Sequence, residues 1–131
     1  MRTSVGIVLV SHSPQLGAGV RELAEQLGGG AVAVAVAAGT EDGSTGTSYE
    51  LIEAAVREAD GGAGVVVLPD LGSAVLTARA VLADLDRPDQ AVLVDAPFVE
   101  GAVAAVVTAS TGAALAEVAQ AAREAWQSHK F

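Results

Sequence analysis

Residues 5–14 read VGIVLVSHSP: a six-residue apolar run closed by two serines, a histidine and a proline. An apolar run without polar alternation is what a strand covered on both faces carries. Ser13 then supplies a good N-cap and Pro14 a good first helical residue, so a helix begins directly behind the strand. The segment reads as the opening strand–helix unit of an α/β chain.

The same signal returns along the sequence. Strands are expected at Ala31–Ala37, where Val and Ala alternate, at Gly64–Leu68 (GVVVL) and at Ala91–Val94 (AVLV). A fifth apolar stretch, Val103–Val107, follows Pro97 and Glu100 and runs on into alanine-rich sequence, so it reads as helix. Between the strands lie amphipathic patterns. Gln15–Leu27 places Leu16, Val20, Leu23, Ala24 and Leu27 on one face. Ser48–Ala59 groups Leu51, Ile52, Ala55 and Val56, and Ser73–Leu85 groups Val75, Leu76, Ala80, Val81 and Leu85. Ala113–Trp126 closes the chain. Strand and helix alternate four times, which predicts a parallel sheet with helices on both faces, a three-layer α/β fold. The GGG triplet at 28–30 reads as a helix stop rather than a domain boundary. With no internal repeat and no long linker, residues 1–131 are expected to form one domain.

Composition narrows the function classes. A chain of 131 residues can bury about 65–70% of the surface its unfolded form exposes. Its core must be aliphatic, since 51% of residues are hydrophobic and only 3% aromatic. The absence of cysteine excludes disulfides, thiolate metal sites and cysteine nucleophiles, and suits a reducing compartment. Two histidines without cysteine cannot build a usual zinc site, so no metal is expected. The apolar runs are short and broken, and VGIVLV is followed by no small-residue cleavage site. Neither a membrane span nor a signal peptide is read, and the cytoplasm is the expected compartment. The formal net charge of −9 opposes nucleic acid and anionic lipid and favours a basic protein partner.

In open parallel sheets, sites gather beyond the carboxyl ends of the strands. After the first strand, Ser11-His12-Ser13-Pro14 sets a histidine between a strand end and a helix N-terminus, where backbone N–H groups favour an anion such as a phosphoryl group. A neutral imidazole there is a nucleophile; the plainer alternative is a histidine that only caps or packs. His129, in the tail, reads as a surface residue. After the second strand, Gly39-Thr40-Glu41-Asp42-Gly43-Ser44-Thr45-Gly46-Thr47-Ser48 offers glycines and hydroxyls to an anion. It lacks the Gly-Lys-Ser/Thr of a nucleotide-binding P-loop, and part of it could be a turn plus the cap of the next helix, with Thr47 or Ser48 at the N-cap. After the third, Asp70 in Leu68-Pro69-Asp70-Leu71-Gly72-Ser73 can accept from one imidazole nitrogen, leaving the other to attack. It can equally be a first-turn helix acid. After the fourth, Asp95 is another strand-end acid, and Glu100 reads as a first-turn helix acid.

Four of these segments, VSHS, AAGTEDGSTGTS, DLGSA and DAPFVEGA, taken in order, resemble the phosphoryl-donor subunits of phosphoenolpyruvate-dependent dihydroxyacetone kinases, over nearly the whole chain. The resemblance implies the fold of mannose-class enzyme IIA domains, a homodimer, and a mostly parallel four-stranded sheet of order 2-1-3-4. It also implies a reaction: His12 receives a phosphoryl group from phospho-HPr and passes it to ADP held on the partner subunit DhaL, which phosphorylates dihydroxyacetone on DhaK. No cofactor is then bound by this chain. Carried over, the phosphorylated histidine is His12 and the orienting aspartate is Asp70. Ser11, Ser13, Gly39, Thr40, Gly46, Thr47, Ser48, Gly72 and Ser73 shape the site. Some members carry fused HPr-like and enzyme I-like domains; this sequence shows neither, which implies separate donors. The tail after Trp126 is short for a swapped terminal strand.

Competing readings are a mannose-class enzyme IIA component of a sugar permease, a tetrapyrrole metal chelatase, and a non-catalytic regulatory domain. The first usually has His-Gly after strand one, where this chain has His12-Ser13. The second usually needs further metal-facing histidines or acids.

Overall fold

The two faces of each strand go to two different cores. In the computed structural model, which describes residues 3–131, the elements alternate as expected. They are β1 (Gly6–Ser11), α1 (Pro14–Gly28), β2 (Val34–Ala38), α2 (Tyr49–Ala59), β3 (Val65–Pro69), α3 (Gly72–Ala83), β4 (Ala91–Leu93), α4 (Phe98–Ser110) and α5 (Leu115–Glu124). All three strand pairings are parallel and the sheet order is β2-β1-β3-β4. Ile7, Leu9, Val34, Val66 and Leu68 point to one layer and pack with Val20, Ala24, Ala102, Ala105, Val106, Val118 and Ala122 of α1, α4 and α5. Val8, Val10, Ala35, Ala37, Val65 and Val67 point to the other and meet Ile52, Ala55, Val56, Ala74, Ala78 and Val81 of α2 and α3. A period of two into two separate cores explains why the strands read as unbroken apolar runs.

Element boundaries differ from expectation by at most three residues. The second strand starts at Val34 rather than Ala31. The last helix ends at Glu124 and is followed by a 3-10 turn over Ala125–Gln127. Val103–Val107 lies inside α4, as read from the sequence.

Two helix faces turn out otherwise. On α1 the buried positions are Gly17, Val20 and Ala24, while Leu16, Leu23 and Leu27 of the expected face are exposed. On α3 the buried row is Ala74, Ala78 and Val81, and Leu76 and Ala80 of the expected face lie in solvent. The reason is the short helix-to-sheet distance. A Cβ on Gly17 would sit 2.7 Å from Val36 Cγ1, so the contact row of α1 takes nothing larger than valine and its leucines are turned to the flank.

The same closeness makes Gly6 irreplaceable. A Cβ there would run into the carbonyl oxygen of Ala59, the last residue of α2, and lie 3.0 Å from its Cβ. Both partners are held in regular structure, so neither can give. Gly6→Ala is expected to lower the urea unfolding free energy by about 3 kcal/mol. A loss below about 1 kcal/mol would show that α2 does not end against β1 so tightly.

No helix among the described residues is long and apolar enough to cross a membrane.

Candidate functional site

The chain runs from β1 outward to β2, then crosses back to β3 on the other side of β1. Such a reversal opens a crevice at the carboxyl ends of β1 and β3. The loops after β2 and β3 therefore flank whatever follows β1, and that is His12.

Ser11, the last residue of β1, is fully buried. Its hydroxyl donates to Asp70 Oδ2 at 3.0 Å and accepts from the backbone N–H of Ser13 at 3.1 Å. Ser13 caps α1, accepting from Leu16 N at 3.2 Å, with Pro14 as the first helical residue. Between them the chain turns His12 toward β3. Its Nδ1 lies 2.9 Å from Asp70 Oδ1, and its backbone N–H donates to Asp70 Oδ2 at 3.0 Å. The side chains of His12 and Asp70 are 18% and 7% exposed, so the carboxylate is covered while the ring reaches solvent.

Asp70 accepts four hydrogen bonds, the fourth from Leu71 N at 2.7 Å. Burial works against its charge; the backbone N–H of His12, its imidazole and the Ser11 hydroxyl together outweigh burial and hold the carboxyl below its ordinary value of 3.8. An ionised carboxylate only accepts, so Nδ1 carries the proton and Nε2 presents a lone pair. Nε2 lies 2.5 Å from Ser73 Oγ, whose hydroxyl donates to it.

That placement refines the expectation from sequence. The open nitrogen is turned away from α1, whose first turn is closed by Ser13, and toward the first turn of α3, which starts at Gly72 and has no side-chain cap. The helix whose end faces Nε2 is thus α3.

The glycine-rich loop forms the wall on the β2 side. Gly39 donates its N–H to Ser11 O at 2.9 Å and adopts φ 70°, with its Cα so near Ser44 O that a Cβ would approach to 2.5 Å. Thr40 turns inward to its own loop, donating to Asp42 Oδ1 at 2.5 Å. Gly46 N donates to His12 O at 3.1 Å, which ties the loop to the histidine. Thr47 Oγ1 pairs with Thr77 Oγ1 of α3 at 3.0 Å. Ser48 is the N-cap of α2, accepting from Leu51 N and donating to Glu41. Of the two cap alternatives open from sequence, the geometry selects Ser48.

Asp95 and Glu100 stand apart from this cluster. They follow β4, which is separated from β1 by β3, roughly 10 Å across two strand spacings. The carbonyl of Asp95 accepts from Trp126 Nε1, and Glu100 pairs with Lys130 at 3.1 Å. His129 is exposed in the tail. No group of three or more His, Cys, Asp or Glu among the described residues is arranged to hold a metal ion. Sequence reasoning missed Thr77; its spacing of four from Ser73 on one helix was the available signal.

An imidazole oriented through Nδ1 by a carboxylate, with Nε2 beside a hydroxyl at the carboxyl edge of a parallel sheet, is the arrangement of an α/β domain with a histidine poised for nucleophilic work. The sequence pattern of the family described as PTS system fructose IIA component matches residues 6–119, and the chain belongs to that family, among the phosphoryl-donor subunits DhaM of dihydroxyacetone kinase. It is 40% identical over 120 residues to the PEP-dependent dihydroxyacetone kinase phosphoryl donor subunit DhaM of Escherichia coli K12, matching 87% of this chain and 25% of that one. It is 34% identical over 105 residues to the phosphoryl donor subunit DhaM of kinase 2 from Listeria innocua, matching 79% of this chain and 84% of that one. The crystal structure of a protein of unknown function, EF1359, superposes with a TM-score of 0.83 at 34% identity, covering 95% of both chains. The chain thus spans about a quarter of the length of the Escherichia coli relative.

Proposed function

We propose that this chain is the phosphoryl-donor component of a PEP-dependent dihydroxyacetone kinase, with His12 as its covalent carrier. The observation that carries the reading is the His12 Nδ1–Asp70 Oδ1 contact of 2.9 Å, which leaves Nε2 free to attack. In the incoming step the Nε2 lone pair forms a bond to the phosphorus of a donor phosphohistidine on HPr. The donor's P–N bond breaks and its electron pair returns to the donor ring. Positive charge appears on the His12 imidazole as the bond forms, and the Asp70 carboxylate stabilises it. In the outgoing step a terminal phosphate oxygen of ADP, held on DhaL, attacks the same phosphorus and Nε2 leaves as a neutral ring. DhaL then phosphorylates dihydroxyacetone on DhaK. The chain itself needs no nucleotide site, in keeping with a glycine-rich loop that lacks a lysine.

Residues 1–131 act as one phosphotransfer domain of a cytoplasmic homodimer, and no metal or diffusible cofactor takes part. A second reading, a IIA component feeding a sugar permease, is favoured by the fructose IIA description of the family. Binding to DhaL rather than to a permease domain separates the two.

The test is incubation with phosphoenolpyruvate, enzyme I and HPr, read by intact mass and by NMR of the isotope-labelled imidazole. One acid-labile phosphoryl group on Nε2 is expected, discharged on adding DhaL·ADP. A chain that competent phospho-HPr leaves unmodified would refute the relay.

A further inference from the structure

Three polar pairs are made by α3 and its C-cap residue. They are His12 Nε2 with Ser73 Oγ at 2.5 Å, Thr47 Oγ1 with Thr77 Oγ1 at 3.0 Å, and Tyr49 OH donating to Asp84 Oδ2 at 2.6 Å. Ser73 and Thr77 stand four residues apart on α3, so their side chains project from one face about one turn apart. Thr47 is brought there by the loop whose Gly46 N–H holds the His12 carbonyl. The threonine pair therefore stands about one turn of α3 from Ser73, the residue that Nε2 contacts.

We propose that Thr77, together with Thr47, is part of the phosphoryl-binding site and donates to an oxygen of the group carried on His12. This rests on the reading that His12 is phosphorylated on Nε2. Each threonine hydroxyl has one proton to donate. Their mutual bond uses one of the two, and the other has no acceptor among the described residues. When Nε2 bonds to phosphorus, its lone pair is no longer available to Ser73. That hydroxyl turns to one phosphoryl oxygen, and the spare threonine proton serves another.

Charge gives an independent reason. A phosphoryl group brings about two negative charges into a chain whose net charge is already −9. Neither the loop 39–48 nor the segment 70–77 contains a lysine or arginine. Neutral donors must take up the load, and hydroxyls and backbone N–H groups are what this crevice supplies. Such a site stabilises the phosphoryl group without the ion pairing that would hinder its release.

The experiment measures the equilibrium of phosphoryl exchange with phospho-HPr by 31P NMR, for wild type, Thr77→Val, Thr77→Ser and Thr47→Val. Loss of one hydrogen bond to a charged acceptor shifts the equilibrium roughly tenfold toward HPr in Thr77→Val, while Thr47→Val, which leaves the Thr77 proton in place, shifts it by less. The 31P resonance of phospho-His12 moves with it, and Thr77→Ser restores both to near wild type. If the threonines only tie α3 to the loop, the valine variants lose thermal stability while the exchange equilibrium and the 31P shift stay as in wild type. That result overturns the proposal, as does a serine variant as impaired as the valine one. A wild-type chain that takes up no phosphoryl group at all refutes the underlying relay instead.

Discussion

His12→Ala is expected to give a folded protein that accepts no phosphoryl group from phospho-HPr. The ring supplies the one lone pair at the end of β1, and the hydroxyls around it are poor substitutes, since no general base stands ready to deprotonate them. The second imidazole, His129, lies in the exposed tail. Folding tolerates the change because Asp70 keeps three of its four donors: the residue 12 backbone N–H, the Ser11 hydroxyl and Leu71 N. The cost in stability is about 1.5–3 kcal/mol, that of one hydrogen bond to a charged group. Intact mass after incubation with the donor system decides the point, with circular dichroism as the check on folding. A variant that still gained one acid-labile phosphoryl group would place the carrier elsewhere, with His129 the first candidate.

Asp70→Asn is expected to slow phosphoryl uptake by about 10²–10⁴-fold, because the site needs four acceptor positions and a negative charge. An asparagine offers one oxygen and one NH₂. With the NH₂ toward His12 Nδ1 it donates to the ring, forces the proton onto Nε2 and removes the attacking lone pair. It also opposes Leu71 N–H. With the NH₂ on the other side it opposes the backbone N–H of His12. Either orientation leaves two donors facing each other at a buried position, which costs about 1–3 kcal/mol of stability. The charge that balances the developing imidazolium is absent in both. Single-turnover uptake from phospho-HPr measures the rate effect; a change below about tenfold would show that Asp70 does not orient the ring.

The same substitution exposes a pH dependence. The folded-state pKa of Asp70 lies below its ordinary value of 3.8, so the folded state binds the proton less readily than the unfolded state. The stability it confers is fully present above 3.8 and is lost as pH falls through the lower folded-state value. Wild type should therefore be more stable than Asp70→Asn at neutral pH, with the gap closing as pH falls below 3.8. Urea unfolding across that range checks this; a gap that stayed constant would show that the carboxylate contributes nothing through its ionisation.

Much of the molecule was legible in its amino acids because the relevant signals are local. VGIVLV is apolar on consecutive positions, so it needs cover on both faces wherever it lies. Ser13-Pro14 starts a helix whatever packs on it, and the alternation of such segments predicts a parallel sheet. His12 and Asp70 follow strands, where parallel sheets place their sites. Helix faces were less legible. Leu16, Leu23 and Leu27 outrank Gly17 and Ala24 in hydrophobicity, and nothing in sequence says how near the sheet will stand. Once Val36 lies within 2.7 Å of a Cβ on Gly17, size rather than hydrophobicity selects the contact row.

What the sequence by itself determined is the order of strands and helices, the two-sided core and the placing of His12 and Asp70 at neighbouring strand ends. Each rests on neighbours within a few residues. Only the tertiary structure decided which imidazole nitrogen is free, which helix end it faces and which threonine joins it. Those depend on Asp70 and Ser73 reaching His12 across 58 and 61 residues of chain, and on Thr77 meeting Thr47 across 30. Contacts of that span are set by where β3 and α3 pack beside β1, and no local spacing encodes the direction in which a ring then points.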